Sequence, residues 1–194
     1  MFIAFEGLDG AGTTTHSKHL AERLEAEGHS VLLTNEPTGS EPIGTLIRDV
    51  LQHKYEISAE SLQLLFSADR ADHLKNKILP ALAEDKIVIT DRYFFSTLAY
   101  GGLSVDVDWL KEVSKNFPIP DLTILCECDT DTCLNRIGGR GETPELFEKR
   151  EKLIKIGKNY HELSEEYPNF YLLDSSRSIP VCDEEIWGVV SGKI

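Results

Sequence analysis

The sequence predicts a three-layer α/β fold, with a central parallel sheet of five strands flanked by helices. Three observations carry that expectation. Five short apolar runs, rich in β-branched and aromatic residues, recur along the chain, as strands buried on both faces of a parallel sheet do. Amphipathic stretches of helical period separate them, and such alternation implies right-handed crossovers between layers. The first run leads into a glycine-rich turn and then a helical pattern. Sheets of this kind bind ligands outside the carboxyl ends of their strands.

The elements follow in order. "FIAFE" (2–6) is the first strand. "TTHSKHLAERLEAEG" places Leu20 and Leu24 four residues apart and stops at Gly28, the residue type that ends helices at C′. "SVLLT" (30–34) is the second strand. "ISAESLQLLFSADRADHLKNKILPALAED" opens with a Ser58 cap signal and sets Leu62, Leu65, Phe66 and Leu74 along one side of a helical pattern. "KIVIT" (86–90), "LTILCEC" (122–128) and "FYLLD" (170–174) complete the strands. "GGRGETPE" (138–145), with three glycines and a proline, is the candidate flap, within a lid expected at about 136–148. No internal repeat, low-complexity tract or linker divides the sequence, so residues 1–194 are expected to form one domain.

Composition narrows the function classes. With 41% hydrophobic and 27% charged residues over 194 positions, the chain is an ordinary globular one, long enough to bury a core. No apolar run approaches the 18 or so residues of a membrane span. "MFIAFEG" lacks the basic region of a signal peptide and reads as a strand. A cytoplasmic protein is expected. The net charge of −13 argues against broad electrostatic binding of nucleic acid. A few arginines converging in one cleft would still hold a small anion. Cys126 and Cys128 fall on one face of a strand, and all four cysteines, with Cys133 and Cys182, are expected to be inert buried thiols.

The chemistry-bearing residues begin in the first turn. The P-loop pattern is G-x-x-x-x-G-K-[ST]. Here the loop runs Gly7, Leu8, Asp9, Gly10, Ala11, Gly12, Thr13, Thr14 and Thr15. Both glycines stand at the required spacing and Thr14 supplies the hydroxyl, but Thr13 replaces the lysine. The dinucleotide fingerprint fits less well, because Thr15 stands where its third glycine should be. Inward-turned backbone N–H groups and a helix N-terminus make an anion cradle without a lysine. Loss of one preorganised cation costs roughly 10²–10³ in rate, unless another reaches the same oxygens. Arg140 in the flap is the first candidate, with Lys18 and Arg136 behind it; the alternative for Arg140 is a solvated surface charge. Asp91 and Arg92 follow the 86–90 strand at its carboxyl end, where a carboxylate can hold Mg²⁺ and a guanidinium can clamp phosphate. An exposed pair capping the strand is the other reading. Phe66 and Arg70 lie four apart on one helix face. They suit a nucleobase, although taken singly Phe66 is more often a core aromatic and Arg70 more often a surface arginine.

"FEGLDGAG-TT", "NEPTGSEPIGTLIRDVL", "LLFSADRADH", "TDRYFFSTLAYGG" and "PDLTILCECDTDTCLNRIGGRGE" occur in the order seen in thymidylate kinases. The chain resembles that family, of the archaeal kind, over nearly its whole length. The resemblance implies a P-loop NTPase fold of the nucleoside-monophosphate kinase type, with ATP and Mg²⁺ phosphorylating dTMP to dTDP. It implies that Asp9 binds the sugar 3′-hydroxyl, Phe66 stacks on thymine and Arg70 reaches its carbonyl edge. Thr97 would bond the base, Tyr100 would pack under the sugar, and Arg92 would hold the acceptor phosphate. Asp91 and Thr14 would place Mg²⁺, and Glu36 and Arg48 would line the acceptor side. The bond before Pro37 would be cis. Family members that lack a basic residue at the Ala11 position carry the lid arginine that Arg140 matches, and members are commonly homodimers. Asn35 stands where the family often has arginine.

Two other functions share these features. One keeps the fold and changes the acceptor, to dUMP, another nucleotide or a deoxynucleoside. The other, motivated by Thr13, is a nucleotide-binding regulatory or assembly protein without catalysis. A signalling GTPase fits less well, since no N-K-x-D motif occurs and "DRYF" replaces D-x-x-G.

Overall fold

The computed structural model describes residues 1–39, 41–139, 146–147 and 149–194. Five strands, β1 (Phe2–Gly7), β2 (Val31–Asn35), β3 (Ile87–Asp91), β4 (Leu122–Glu127) and β5 (Phe170–Asp174), form one sheet. All are parallel, in the order β2-β3-β1-β4-β5. The central strands β1, β3 and β4 are buried along nearly their whole length, whereas β2 at the edge alternates between half-buried and exposed. That gradient explains why the runs of β1, β3 and β4 are largely apolar. Full burial of residues such as Ile3, Phe5 and Ile89 contributes about 1.5–3 kcal/mol each.

The helices among the described residues are α1 (Thr13–Ala26), α2 (Pro42–Leu51), α3 (Ala59–His73), α4 (Leu79–Ala83), α5 (Phe94–Gly101), α6 (Val107–Ser114), α7 (Thr130–Gly138), α8 (Arg150–Glu166) and α9 (Ile179–Ser191). α1 and α9 pack together as one layer, while α3, α5 and α8 pack in series as the other. Local signals set several ends. Gly28, at φ 92, follows the α1 C-cap. Ser58 caps α3 by accepting the Ser61 N–H at 3.1 Å. No helix here is long and apolar enough to cross a membrane.

One expectation changes. The stretch read as a continuous helical pattern after Ser58 is three pieces, with a π-helical turn at Leu74–Ile78 between α3 and α4. Pro80 has no N–H to give the carbonyl a turn earlier, and its ring crowds that carbonyl. The π turn widens the ladder just before it.

Strand register positions the site. Phe5 pairs with Asp91, Gly7 with Cys126 and Asn35 with Asp91. The carboxyl ends of β1, β2, β3 and β4 therefore lie level. Each is followed by a candidate functional segment.

Candidate active site

A cleft of about 660 Å³ runs across those strand ends. Its walls carry Asp9, Gly10, Gly12, Thr13, Thr14, Thr15 and Lys18 at one end, and Glu36, Pro37, Arg48, Phe66, Arg70, Arg92, Thr97 and Tyr100 at the other. Gly7, Leu8 and Ala11 do not line it; they are buried behind the loop and support it. Among the described residues, four cations thus face one cavity, beside the carboxylates Asp9, Glu36 and Asp91, in a chain of net charge −13. That concentration is what a small polyanion needs.

The first end has the shape of an anion cradle. Gly10 (φ 83) and Gly12 (φ 98) adopt left-handed backbone, and the loop closes on an Ala11 N–H to Leu8 carbonyl bond of 3.0 Å. At Gly10 a Cβ would stand 2.5 Å from the Cys133 carbonyl oxygen, so only glycine lets the loop lie against α7. α1 starts at Thr13 with no side-chain cap and no acidic residue in its first turn. Its leading N–H groups are left for an anion.

The Thr14 hydroxyl donates to Asp91 Oδ2 at 2.5 Å, while Asp91 Oδ1 is buried without a hydrogen-bond partner. An orphaned carboxylate oxygen beside a hydroxyl, at the mouth of a phosphate cradle, fits a hard divalent cation with oxygen ligands. Thr13 is buried and lines the cleft. Of the cations expected to replace its missing charge, Arg136 reaches the loop itself, donating to the Gly10 carbonyl at 3.2 Å and to the Ser175 carbonyl at 3.1 Å. Lys18 is exposed and paired with Glu22 at 3.7 Å. Arg140, with most of the expected lid, lies outside the described residues.

Arg92 joins the two ends. Its Nη2 bonds Asp9 Oδ1 at 2.6 Å and its Nη1 bonds the Gly7 carbonyl at 2.9 Å. Burial opposes the charge, but the facing Tyr100, Asp9, Tyr160 and Asp91 outweigh it and push the guanidinium well above its ordinary range. Its backbone is left-handed, at φ 72, a conformation a non-glycine residue holds only under constraint. The constraints are visible: its N–H donates to the Phe5 carbonyl at 2.8 Å, and its carbonyl accepts from Thr90 Oγ1 at 2.8 Å. Tyr100 lies beneath, with the Arg92 guanidinium 5.2 Å from its ring centroid. Burial raises its phenol well above the ordinary value, keeping it a donor, and it bonds the Gly7 carbonyl at 3.3 Å.

The other end of the cleft rests on a buried polar chain. Arg70, 1% exposed, gives Nε to Glu36 Oε2 at 2.7 Å and Nη1 to Thr97 Oγ1 at 3.1 Å. Glu36 Oε1 takes His73 Nδ1 at 3.0 Å, and His73 Nε2 lies 2.7 Å from Thr34 Oγ1. The Glu36 carboxylate is thus bonded to both Arg70 and His73. The Glu36–Pro37 bond is cis, as expected. Asn35 and Arg48 both donate to the Pro37 carbonyl, at 2.8 Å and 3.0 Å. Phe66 is half-buried one turn from Arg70 and lines the cleft.

Sequence reasoning missed Glu6, Ser96 and Tyr160, a carboxylate and two hydroxyls bonded to one another beside Arg92. A carboxylate inside an otherwise apolar strand was a usable signal for Glu6. Nothing local marks Tyr160, which arrives from α8. The cysteines are free, and burial raises the Cys126 and Cys133 thiols well above the ordinary value, suppressing the reactive thiolate.

A cradle between β1 and α1 with a hydroxyl–carboxylate pair at its mouth places the protein in the class of the P-loop NTPases, here with an arginine-lined pocket facing the cradle. Within that class the sequence comparisons are specific. Residues 5–186 match the thymidylate kinase family model, and the chain belongs to that family. It is 42% identical to a "Probable thymidylate kinase" of Pyrococcus horikoshii, covering 100% of this chain and 97% of the relative. A protein of the same name from Methanocaldococcus jannaschii is 37% identical over 97% of this chain and 94% of its own length. The Thermococcus kodakarensis relative, also so named, is 36% identical over 98% and 97%.

Proposed function

We propose that this protein transfers the γ-phosphoryl group of ATP to dTMP, giving dTDP and ADP, with Mg²⁺ as the cofactor. One observation carries the reading. The Thr14–Asp91 pair and the Asp9–Arg92 pair lie side by side at the level ends of β1 and β3, so a donor phosphate in the cradle would face an acceptor phosphate on Arg92.

In this reading the loop N–H groups of residues 10–15 hold the donor β- and γ-phosphates. Arg92 holds the dTMP phosphate, and Asp9 offers its second oxygen to the sugar 3′-hydroxyl. Phe66 stacks on the thymine ring, with Arg70 and Thr97 at its polar edge. Tyr100 fills the space beneath the sugar. An oxygen of the acceptor phosphate forms the new bond to the γ-phosphorus as the bond to the β,γ-bridging oxygen breaks. The leaving electron pair stays on ADP. An ionised phosphate is nucleophile enough, so the side chains have only to position and neutralise. Thr14 and Asp91 would hold Mg²⁺, which supplies Lewis-acid neutralisation of the phosphate oxygens when bound. Arg136 at Gly10 and Arg140 are the cations that compensate for Thr13.

ADP formation with MgATP and dTMP, beside dUMP and a deoxynucleoside, tests this for wild type and Thr13→Lys. Turnover preferring dTMP is expected. Tight ATP binding with no turnover on any acceptor, restored by Thr13→Lys, would favour the non-catalytic reading.

A further inference from the structure

Glu6 is the one charged residue of β1 and is fully buried. It does not line the cleft, yet it is tied to Arg92 from two directions. Its Oε1 accepts the Tyr93 N–H at 2.9 Å and the Ser96 N–H at 3.2 Å. Tyr93 is the N-cap of α5, which has no side-chain cap of its own. A carboxylate from a neighbouring strand therefore does the capping, and it fixes the turn that leaves Arg92 at φ 72.

The second tie runs through two hydroxyls. Glu6 Oε2 accepts Ser96 Oγ at 2.6 Å and Tyr160 Oη at 2.7 Å. All four partners of the carboxyl group are donors, so the species that satisfies them is the ionised carboxylate. With their protons aimed at Glu6, the hydroxyl oxygens turn lone pairs toward Arg92. Its Nη1 lies 3.2 Å from Ser96 Oγ and 3.5 Å from Tyr160 Oη.

We propose that Glu6 is a positioning residue for the acceptor-phosphate arginine. It acts as the buried half of an ion pair relayed through Ser96 and Tyr160, and as the cap that holds the Arg92 turn. The assignment rests on the reading of Arg92 as the acceptor-phosphate residue. Because Tyr160 lies on α8, the relay also ties that helix to the arginine.

Glu6→Gln tests it at constant shape. With its nitrogen in the Oε2 position, the amide donates to both hydroxyls, whose protons must then turn toward Arg92. The expected result is a KM for dTMP raised about tenfold or more, the scale of one charge-assisted hydrogen bond, with the KM for ATP unchanged. A fold defect would move both constants. Ser96→Ala should shift the dTMP constant in the same direction, and stands in if Glu6→Gln does not fold. A second readout needs no substrate: the Arg92 Nε–H NMR signal, assigned with Arg92→Lys, should be sharp in wild type and broadened in Glu6→Gln. If wild type phosphorylates no dTMP while that signal still broadens, the kinase reading fails and the positioning role stands. An unchanged signal, with both KM values unmoved or moved together, overturns the proposal.

Discussion

Replacing Arg70 by methionine removes the most deeply buried guanidinium among the described residues while keeping an unbranched stem of similar length. Its side chain is 1% exposed and that of its partner Glu36 is 3% exposed. Removing one member of such a pair leaves an uncompensated buried charge and costs about 3–5 kcal/mol. The lower part of that range applies here. The Glu36 carboxylate keeps His73, whose Nδ1 lies 3.0 Å from Oε1 and must carry the proton, since a carboxylate only accepts. A loss of about 3 kcal/mol lowers the melting temperature of a domain this size by about 6–12 °C. Urea denaturation of Arg70→Met should show that loss as a shifted midpoint at unchanged slope. Adding Glu36→Gln should return part of it, because the stranded charge is gone. A loss under about 1 kcal/mol, or a double variant no more stable than the single one, would refute the reasoning.

Other expected outcomes concern the chemistry. Thr14→Val, read by single-turnover kinetics, should slow phosphoryl transfer by roughly two orders of magnitude while leaving the fold intact; an unchanged rate would remove the hydroxyl from the site. Arg136→Ala should raise the KM for ATP more than that for dTMP, because its one contact with the loop is at Gly10. Thr13→Lys should accelerate turnover at saturating substrates, and a slower variant would mean that the loop is already committed to another cation. Burial raises the Glu6 carboxyl above 4.5, with Ser96, Arg92, Tyr160 and Tyr93 pulling against it. The folded state therefore binds the proton more tightly than the unfolded chain. Glu6 then weakens stability as pH rises from about 4.5 through the folded value. Plotted against pH, wild-type stability should fall relative to Glu6→Gln over that window; a parallel pair of curves would contradict the shift.

Most of the fold was legible because its signals are local. The strand runs match the observed strands to within a residue at each end, Ser58 caps α3 and Gly28 ends α1. The cradle was legible for the same reason, since spacing, strand and helix all lie within one short segment. Of the pocket at the other end, local pattern marked only the Phe66–Arg70 spacing and the Asp91–Arg92 pair at a strand end, and the remaining residues came through family resemblance. Arg70, Glu36, His73 and Thr34 form a chain whose members stand up to 39 residues apart, and no local pattern says that Arg70 turns inward. The π turn was hidden because periodicity averages over a one-residue slip. The Glu6 relay joins residues up to 154 positions apart and needed the tertiary structure to be seen.

The close approach of Gly10 to Cys133 bears on how this enzyme could be re-engineered. Gly10 lies against the α7 backbone and shares a hydrogen bond with Arg136 from the same helix. The donor loop and α7 are in effect one interchangeable cassette, although far apart in sequence. A lysine-bearing loop transplanted from a relative would bring its own contour to a surface shaped for this one. Chimeras that exchange residues 7–17 alone should fit poorly, and those that also exchange 128–138 should retain the parent's shape.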